Sequence, residues 1–283
     1  MTQVLPENEE AQRAWDGVLF DRFLHFRHLI IALADHGHAA MHACPPPVGA
    51  RVVDIGCGFG DSASDLAELV GPEGSVLGVD ISPRFVEQAR RDFPRDNVRF
   101  EAMDVQASPF GETFDYAFAR FGTMFFASPV AGFRNIRASL EPGSRFVMVV
   151  WRKREDNPWV YVAEQVVKPL VEIPEETDEA RCGPGPFAMA GADTVSAQLL
   201  GAGFTDVSFL RVDLPIKIGS TLDEAVEFNL ALGPAAEAVR LAGEDGDALR
   251  PKLAELLRDA LAQFETADGV YAGSSAWVVT ATA

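Results

Sequence analysis

The chain has 283 residues, 48% of them apolar, and a formal net charge of -18. That is enough apolar chain for one large domain or a domain with an elaborate cap. The acidic balance disfavours non-specific nucleic-acid or anionic-membrane binding, which needs a basic surface, and the scattered Cys44, Cys57 and Cys182, with no CxxC pair, point to neither a disulfide framework nor a zinc site.

The N-terminus, MTQVLPENEEAQRAW, is polar and acidic, unlike a signal peptide. No apolar run is long enough to cross a bilayer, and the cysteine usage makes a reducing cytoplasm the expected compartment. Residues 9–43 read as helical, with Phe20, Phe23, Leu24, Arg27, Ile30, Ile31 and Ala34 at roughly helical spacing. CPPPVGA then ends the helical run. RVVDIG is a buried strand and DSASDLAELV a helix capped by Asp61 or Ser62. SVLGVDIS is a second strand, PRFVEQARRDF a helix with proline in its first turn, VRFEAMDV a third strand and FDYAFARFG a fourth. PVAGFRNIRASL is a helix, EPG a turn and SRFVMVVW a fifth strand. Strands alternating with helices imply a parallel sheet covered on both faces.

Beyond residue 151 the pattern loosens. Residues 152–192 are an irregular insertion with one helix, WVYVAEQVVKPL. ADTVSAQLLGAGF is helical, TDVSFLRVDLPI a strand, residues 221–265 helical with breaks at LGPAA and GEDGD, and SSAWVVTATA the last strand. The expected organisation is an N-terminal helical segment (1–47), an α/β core (48–151, 193–216 and 271–283), and a helical cap from the insertions 152–192 and 217–270.

The glycine turn after the first strand, DIGCGFGD, holds Gly56, Gly58 and Gly60 between Asp54 and Asp61. The dinucleotide fingerprint GxGxxG seats a pyrophosphate on a helix N-terminus, but here Asp61 stands where its third glycine would fall. A phosphate between two carboxylates would meet like charge in a partly dry pocket. A cationic ligand would not.

VVDIGCGFGD resembles the first motif of class I S-adenosylmethionine-dependent methyltransferases. The resemblance covers about residues 50–151, with four motifs in order, and is similar to the ubiquinone/menaquinone-methyltransferase-like core of bacterial small-molecule enzymes. It implies a Rossmann-like methyltransferase fold: a doubly wound, mostly parallel seven-stranded sheet with an antiparallel last strand, N-terminal helices and a helical cap. The implied cofactor, S-adenosylmethionine, carries a sulfonium and an ammonium against one carboxylate. The resemblance assigns Asp54, Gly56, Gly58 and Gly60 to the cofactor turn, Asp80 to the ribose hydroxyls with Ile81 beside it as a cofactor-binding residue, and Asp104 with the Val105 amide to adenine. Arg120, directly after the fourth strand, faces the cofactor carboxylate or an acidic substrate, or pairs with an acid of the N-terminal helix. Trp15, in AWDGVLF, matches an N-terminal aromatic segment that folds over the cofactor, with plain hydrophobic anchoring of the N-terminus as the competing reading; Asp16 departs from the Asn usual beside it. RFGTMFF and WR followed by NPW match the same subgroup.

His25, His28, His36, His38 and His42 cluster in the N-terminal helical region. His25 and His28 share a helix face at i,i+3 and, with Arg120, are the candidate catalytic residues, the histidines as a general base if the acceptor is a hydroxyl or amine. A polar helix face is the competing reading. No metal is expected, since the cluster lacks a fixed third ligand and HExxH.

The expected function is methyl transfer to a small organic molecule through an O, N, S or C atom, with no nucleic-acid or membrane partner; a homodimer is compatible with the sequence. A cyclase or decarboxylase that keeps the nucleotide would carry the same binding motifs. An NAD-dependent oxidoreductase would need GxGxxG and a hydride-site group, and Tyr116, Tyr161 and Tyr271 lie in no YxxxK arrangement.

Overall fold

Continuous apolar runs place the early strands inside the molecule: in β1 (Arg51–Ile55), Val52, Val53 and Ile55 are at most 1% exposed. Each such side chain contributes about 1.5–3 kcal/mol. The computed structural model describes residues 4, 6–170, 185–241 and 246–283. β1 pairs in parallel with β2 (Ser75–Asp80) on one side and β4 (Phe114–Arg120) on the other. Outward from β2 lies β3 (Val98–Ala102); outward from β4 lie β5 (Leu140–Trp151), β8 (Gly269–Thr282) and β6 (Thr205–Gly219). A two-residue strand, β7 (Glu265–Thr266), hangs on β8.

β1 to β5 pair in parallel, and β8 runs antiparallel to both β5 and β6. The doubly wound, mostly parallel sheet is therefore as expected, with β7 as a short addition. The chain winds one way from β1 to β3 and the other way from β4 onward. In such sheets a crevice opens at the carboxyl ends of the strands flanking that reversal, here β1 and β4.

Local chemistry explains the helix boundaries. α5 (Asp61–Val70) has Gly60 at its N-cap, with no side-chain cap hydrogen bond, in place of the expected Asp61 or Ser62, and stops at Gly71. α6 (Pro83–Asp92) has proline in its first turn and is capped by Ser82, whose Oγ accepts the Phe85 N–H at 3.4 Å. α7 (Pro129–Ala138) and α8 (Pro158–Val167) also open on proline, and α9 (Ala192–Gly201) follows Gly191. α10 (Leu222–Ala231) is capped by Thr221, while the Glu224 carboxylate returns to the Ser220 N–H at 2.6 Å. α11 (Pro234–Leu241) and α12 (Gly246–Leu261) flank residues outside the described set.

Three further sequence expectations need correction. Residues 9–43 are four short helices, α1 (Glu9–Asp16), α2 (Val18–His25), α3 (Arg27–Ile31) and α4 (Ala34–Ala43), separated at Gly17, Phe26 and Ala32–Leu33. Their apolar spacing is helical, but the chain must turn to wrap the sheet edge. EPG is not a free turn: β5 already begins at Leu140, with a register shift opposite Phe114 and Tyr116 absorbing the irregularity. β6 and β8 are longer than their apolar runs, pairing from Thr205↔Thr282 to Gly219↔Val270. Much of the expected irregular stretch within 152–192, Cys182 included, lies outside the described residues, as does most of the GEDGD break.

The long β6–β8 ribbon carries two cores. Its outer half packs with α7, α9 and the parallel strands. Its inner half, through Ile216, Ile218, Val270 and Ala272, joins Ala163 and Val167 of α8, Val226 of α10, Ala238 of α11 and Leu253 and Leu257 of α12. A third cluster, Phe20, Phe59 and Phe85 with Trp15 and Phe23, fastens the N-terminal helices to the glycine turn and α6.

Candidate functional site

Three acids sit at or just beyond the ends of β1, β2 and β3. Asp54 in β1 is fully buried. The Ser62 hydroxyl donates to its Oδ2 at 2.6 Å, and its Oδ1 has no partner among the described groups. Burial pushes the carboxyl up to about 7, against the Ser62 hydrogen bond and the Arg120 charge. At the end of β2, Asp80 accepts the Gly58 N–H at 3.0 Å on Oδ2 and the Ser82 N–H at 3.0 Å on Oδ1. Burial pushes it up to about 6. Asp80 thus staples the glycine turn to the β2 end.

The turn itself is shaped by two close constraints. A Cβ on Gly56 would lie 3.0 Å from the Gly122 Cα, so the turns after β1 and β4 meet backbone to backbone. Gly58 has φ +53°, a left-handed conformation, and open space where a Cβ would stand. Gly60 packs on Ala89 and Phe100 instead. Cys57 is buried, with its thiol pushed up by burial and by the Asp80 charge, which suits a space-filler and not a nucleophile.

The two acids bracketing the turn have different fates, which corrects the picture of a matched pair. Asp61 is answered within the protein: Arg120 Nη2 donates to its Oδ2 at 2.7 Å, the two side chains being 11% and 14% exposed. The partner of Arg120 is the first residue of α5, and not an acid of the N-terminal helices. Asp54 instead keeps a buried oxygen without a partner among the described groups.

Beyond β3, Asp104 is 1% exposed. Its Oδ1 accepts the Gln106 N–H at 2.9 Å and its Oδ2 accepts from Asn8 Nδ2 at 2.8 Å. The Val105 carbonyl accepts from Asn135 Nδ2 at 2.7 Å, and the Ile81 carbonyl from Gln12 Nε2 at 3.2 Å. Asp16 Oδ1 accepts from Ser82 Oγ at 2.8 Å and from the Arg84 N–H at 2.9 Å. Trp15 stands edge-on to Phe125 at 4.8 Å and to Phe23 at 5.3 Å.

The histidines separate. His25 ends α2 and His28 lies in α3, so they do not share the face of one helix. Both are exposed; His25 meets the edge of Phe26, and His28 Nε2 lies 2.9 Å from Glu224 of α10. Among the described residues no group of three His, Cys, Asp or Glu side chains could hold a metal.

His36, which the sequence offered only as one of five, is fully buried on α4. It lies edge-on to Phe121 and Trp151 at 5.6 and 5.3 Å, and those two rings stack at 3.9 Å. Ser274 Oγ donates to the Leu214 carbonyl at 2.7 Å, so the contact of 3.1 Å between Ser274 Oγ and His36 Nε2 must be donated by the imidazole. Its Nδ1 is left without a partner among the described groups, and burial lowers its pKa to about 4. Phe121 itself is held at φ +58°, a strain of about 1–3 kcal/mol of the kind that gathers at functional sites.

A cleft of about 390 Å³ at the outer edge of β3 is a separate feature, lined by Arg90, Phe93, Pro94, Arg95 and Arg99 among others. Its arginines are already engaged, by the Phe100 carbonyl, Glu68, Glu101 and Glu112.

Sequence reasoning missed Asn8, Gln12, Gly122 and Ser274. Asn8, Gln12 and Asp16 recur every four residues, and that spacing was readable; what they would touch was not.

Comparison with known proteins shows what the central part of the chain resembles. Residues 52–143 match the family model described as a methyltransferase domain. The chain is 31% identical over 113 residues to the aklanonic acid methyltransferase DauC of Streptomyces sp. strain C5, covering 38% of this chain and 51% of that protein. It is 31% identical over 105 residues to the demethylmenaquinone methyltransferase of Lactococcus lactis, covering 36% and 42%. The chain thus spans about half, or less, of the length of these curated relatives. A cyclopropane-fatty-acyl-phospholipid synthase-like protein from Lactobacillus casei shares the fold, with a TM-score of 0.58 at 18% identity over 91% of this chain and 93% of that one.

Proposed function

We propose that this chain, which carries a class I S-adenosylmethionine-dependent methyltransferase domain, methylates a small organic acceptor by in-line displacement in an enclosed pocket. The observation that carries the reading is the unpartnered, fully buried Oδ1 of Asp54, in the turn whose Gly58 borders open space. A buried carboxylate with an unanswered oxygen is costly alone and favourable beside a cation. The residues therefore fit the cofactor. Bound, it supplies an electrophilic methyl group on a positively charged sulfur.

In this reading Asp54 answers the positive charge of the cofactor. Each Asp80 oxygen accepts one backbone N–H and keeps a second lone pair, the capacity that two adjacent ribose hydroxyls require; Ile81 follows it in the same loop. Asp104 and the Val105 amide take adenine. Arg120 takes the cofactor carboxylate, with Asp61 holding the guanidinium in place. Trp15 borders the site on the N-terminal side, and the α8 and α10–α12 helices form the cap. Holding acceptor and methyl group collinear supplies the main rate effect, worth up to ~7–11 kcal/mol. His25 and His28 lie on exposed surface, so acceptor deprotonation by them would need an acceptor reaching the α2–α3 surface. The acidic chain supports a small-molecule partner over nucleic acid. No described helix is long and apolar enough to cross a membrane.

Incubation with methyl-labelled cofactor and a small-molecule extract, read by mass spectrometry, tests the reading: a labelled product is expected. Calorimetric titration should give S-adenosylmethionine binding and none with NAD, and Asp80→Ala should weaken it by about 1.5–3 kcal/mol, roughly 10–100-fold. Cofactor binding without labelled product would favour the cyclase or decarboxylase alternative. NAD binding in its place would overturn the reading.

A further inference from the structure

We propose that residues 6–16 form a strap that sets the carboxamide of Asn8 where the adenine amino group must go, so that strap and cofactor compete for Asp104. The proposal rests on the reading of Asp104 as the adenine acceptor.

Asn8 Nδ2 donates to Asp104 Oδ2 at 2.8 Å, and both residues are 1% exposed. A carboxamide and an aminopyrimidine present the same group, a planar nitrogen with two in-plane hydrogens, to the same acceptor. The Gln106 N–H holds one Asp104 oxygen and the Asn8 carboxamide the other, so an incoming amino group that takes the Asn8 position must displace the carboxamide.

The contact is one of three. Asn8, Gln12 and Asp16 follow at intervals of four, one face of a helical segment. Gln12 Nε2 reaches the Ile81 carbonyl at 3.2 Å, and Asp16 accepts from Ser82 Oγ and the Arg84 N–H at 2.8 and 2.9 Å. The strap is thus stitched across the loops after β2 and β3, which hold the ribose and adenine acids. α1 has no fully buried residue, so its hold is chiefly polar, with Trp15 as its aromatic anchor. Such a hold can be exchanged for equivalent bonds to a ligand at little net change. A lid that clamps a bound cofactor would raise affinity; a strap that mimics part of it lowers apparent affinity by the fraction of molecules in which it is closed.

The test uses S-adenosylhomocysteine as probe, by calorimetry, with hydrogen exchange of residues 9–16 measured with and without it. Asn8→Ala is expected to bind several-fold tighter than the wild type, and exchange in 9–16 is expected to accelerate when the probe binds the wild type. If Asn8→Ala binds more weakly and exchange slows on binding, Asn8 is a cofactor contact and the strap is overturned. If neither quantity changes, it is overturned as well. If wild type and variant, both with native circular dichroism, bind no probe at all, the cofactor reading itself has failed and the strap with it.

Discussion

Arg120 reaches across from the end of β4 to Asp61 at the start of α5, and its Nη2 donates to Asp61 Oδ2 at 2.7 Å with both side chains largely withdrawn from water. The pair locks the turn after β4 to the glycine turn after β1. Removing one partner leaves the other as an uncompensated, mostly buried charge. Arg120→Ala should therefore destabilise the protein by about 3 kcal/mol in urea unfolding. The Asp61→Asn, Arg120→Ala double variant should recover part of that loss, yet remain weak for S-adenosylmethionine. Full recovery of cofactor binding in the double variant would remove Arg120 from the site.

Protonation of Asp54 should govern cofactor affinity near neutrality. Burial holds Asp54 at about 7 and Asp80 at about 6, both above their ordinary 3.8. The folded protein thus holds more protons than the unfolded chain between about pH 4 and 7. Stability from these groups is fully present below pH 4 and is lost as the pH rises through 6 and 7. A cationic ligand prefers the ionised acids. Affinity should rise from pH 6 to 8, with protons released on binding, visible as a dependence of the calorimetric enthalpy on buffer ionisation. Asp54→Asn should lose most of that release; an unchanged release would place the titrating group elsewhere.

His36 works in the opposite direction. Its pKa falls from 6.5 to about 4 through burial, so its contribution is present above pH 6.5 and is lost as the pH falls toward 4. The shift corresponds to about 3 kcal/mol. Between pH 7.5 and 4.5, the change in unfolding free energy should be more unfavourable for wild type than for His36→Gln by up to about that amount. Parallel changes in the two proteins would show that His36 does not titrate in the fold.

Gly122 tests the contact between the two turns. A Cβ there would lie 3.0 Å from the Gly56 Cα and 3.1 Å from the Ile55 carbonyl oxygen, and no side chain can give way. Gly122→Ala should cost about 1–3 kcal/mol of stability and weaken cofactor binding further, because the glycine turn must shift. Wild-type values for both, from thermal melts and calorimetry, would show that the two turns move independently.

The sequence by itself determined the strand–turn–helix order through β5, the acids Asp54, Asp80 and Asp104 at strand ends, and the glycine turn between Asp54 and Asp61. These are local features. Period-two and period-3.6 patterns, proline and glycine punctuation, and a turn of a few residues each act within a dozen positions along the chain. The tertiary structure alone decided which groups face these acids. Asn8 lies 96 positions from Asp104, Arg120 lies 59 from Asp61, and Ser274 lies 238 from His36. No spacing rule reaches that far, because such pairs depend on how whole elements pack. Nothing in the composition of the histidine cluster distinguished His36 from its exposed neighbours; the turns between the short N-terminal helices did, by rotating that one imidazole against Phe121 and Trp151. Burial then moved its proton affinity and that of Asp54 in opposite senses, since desolvation penalises whichever form is charged.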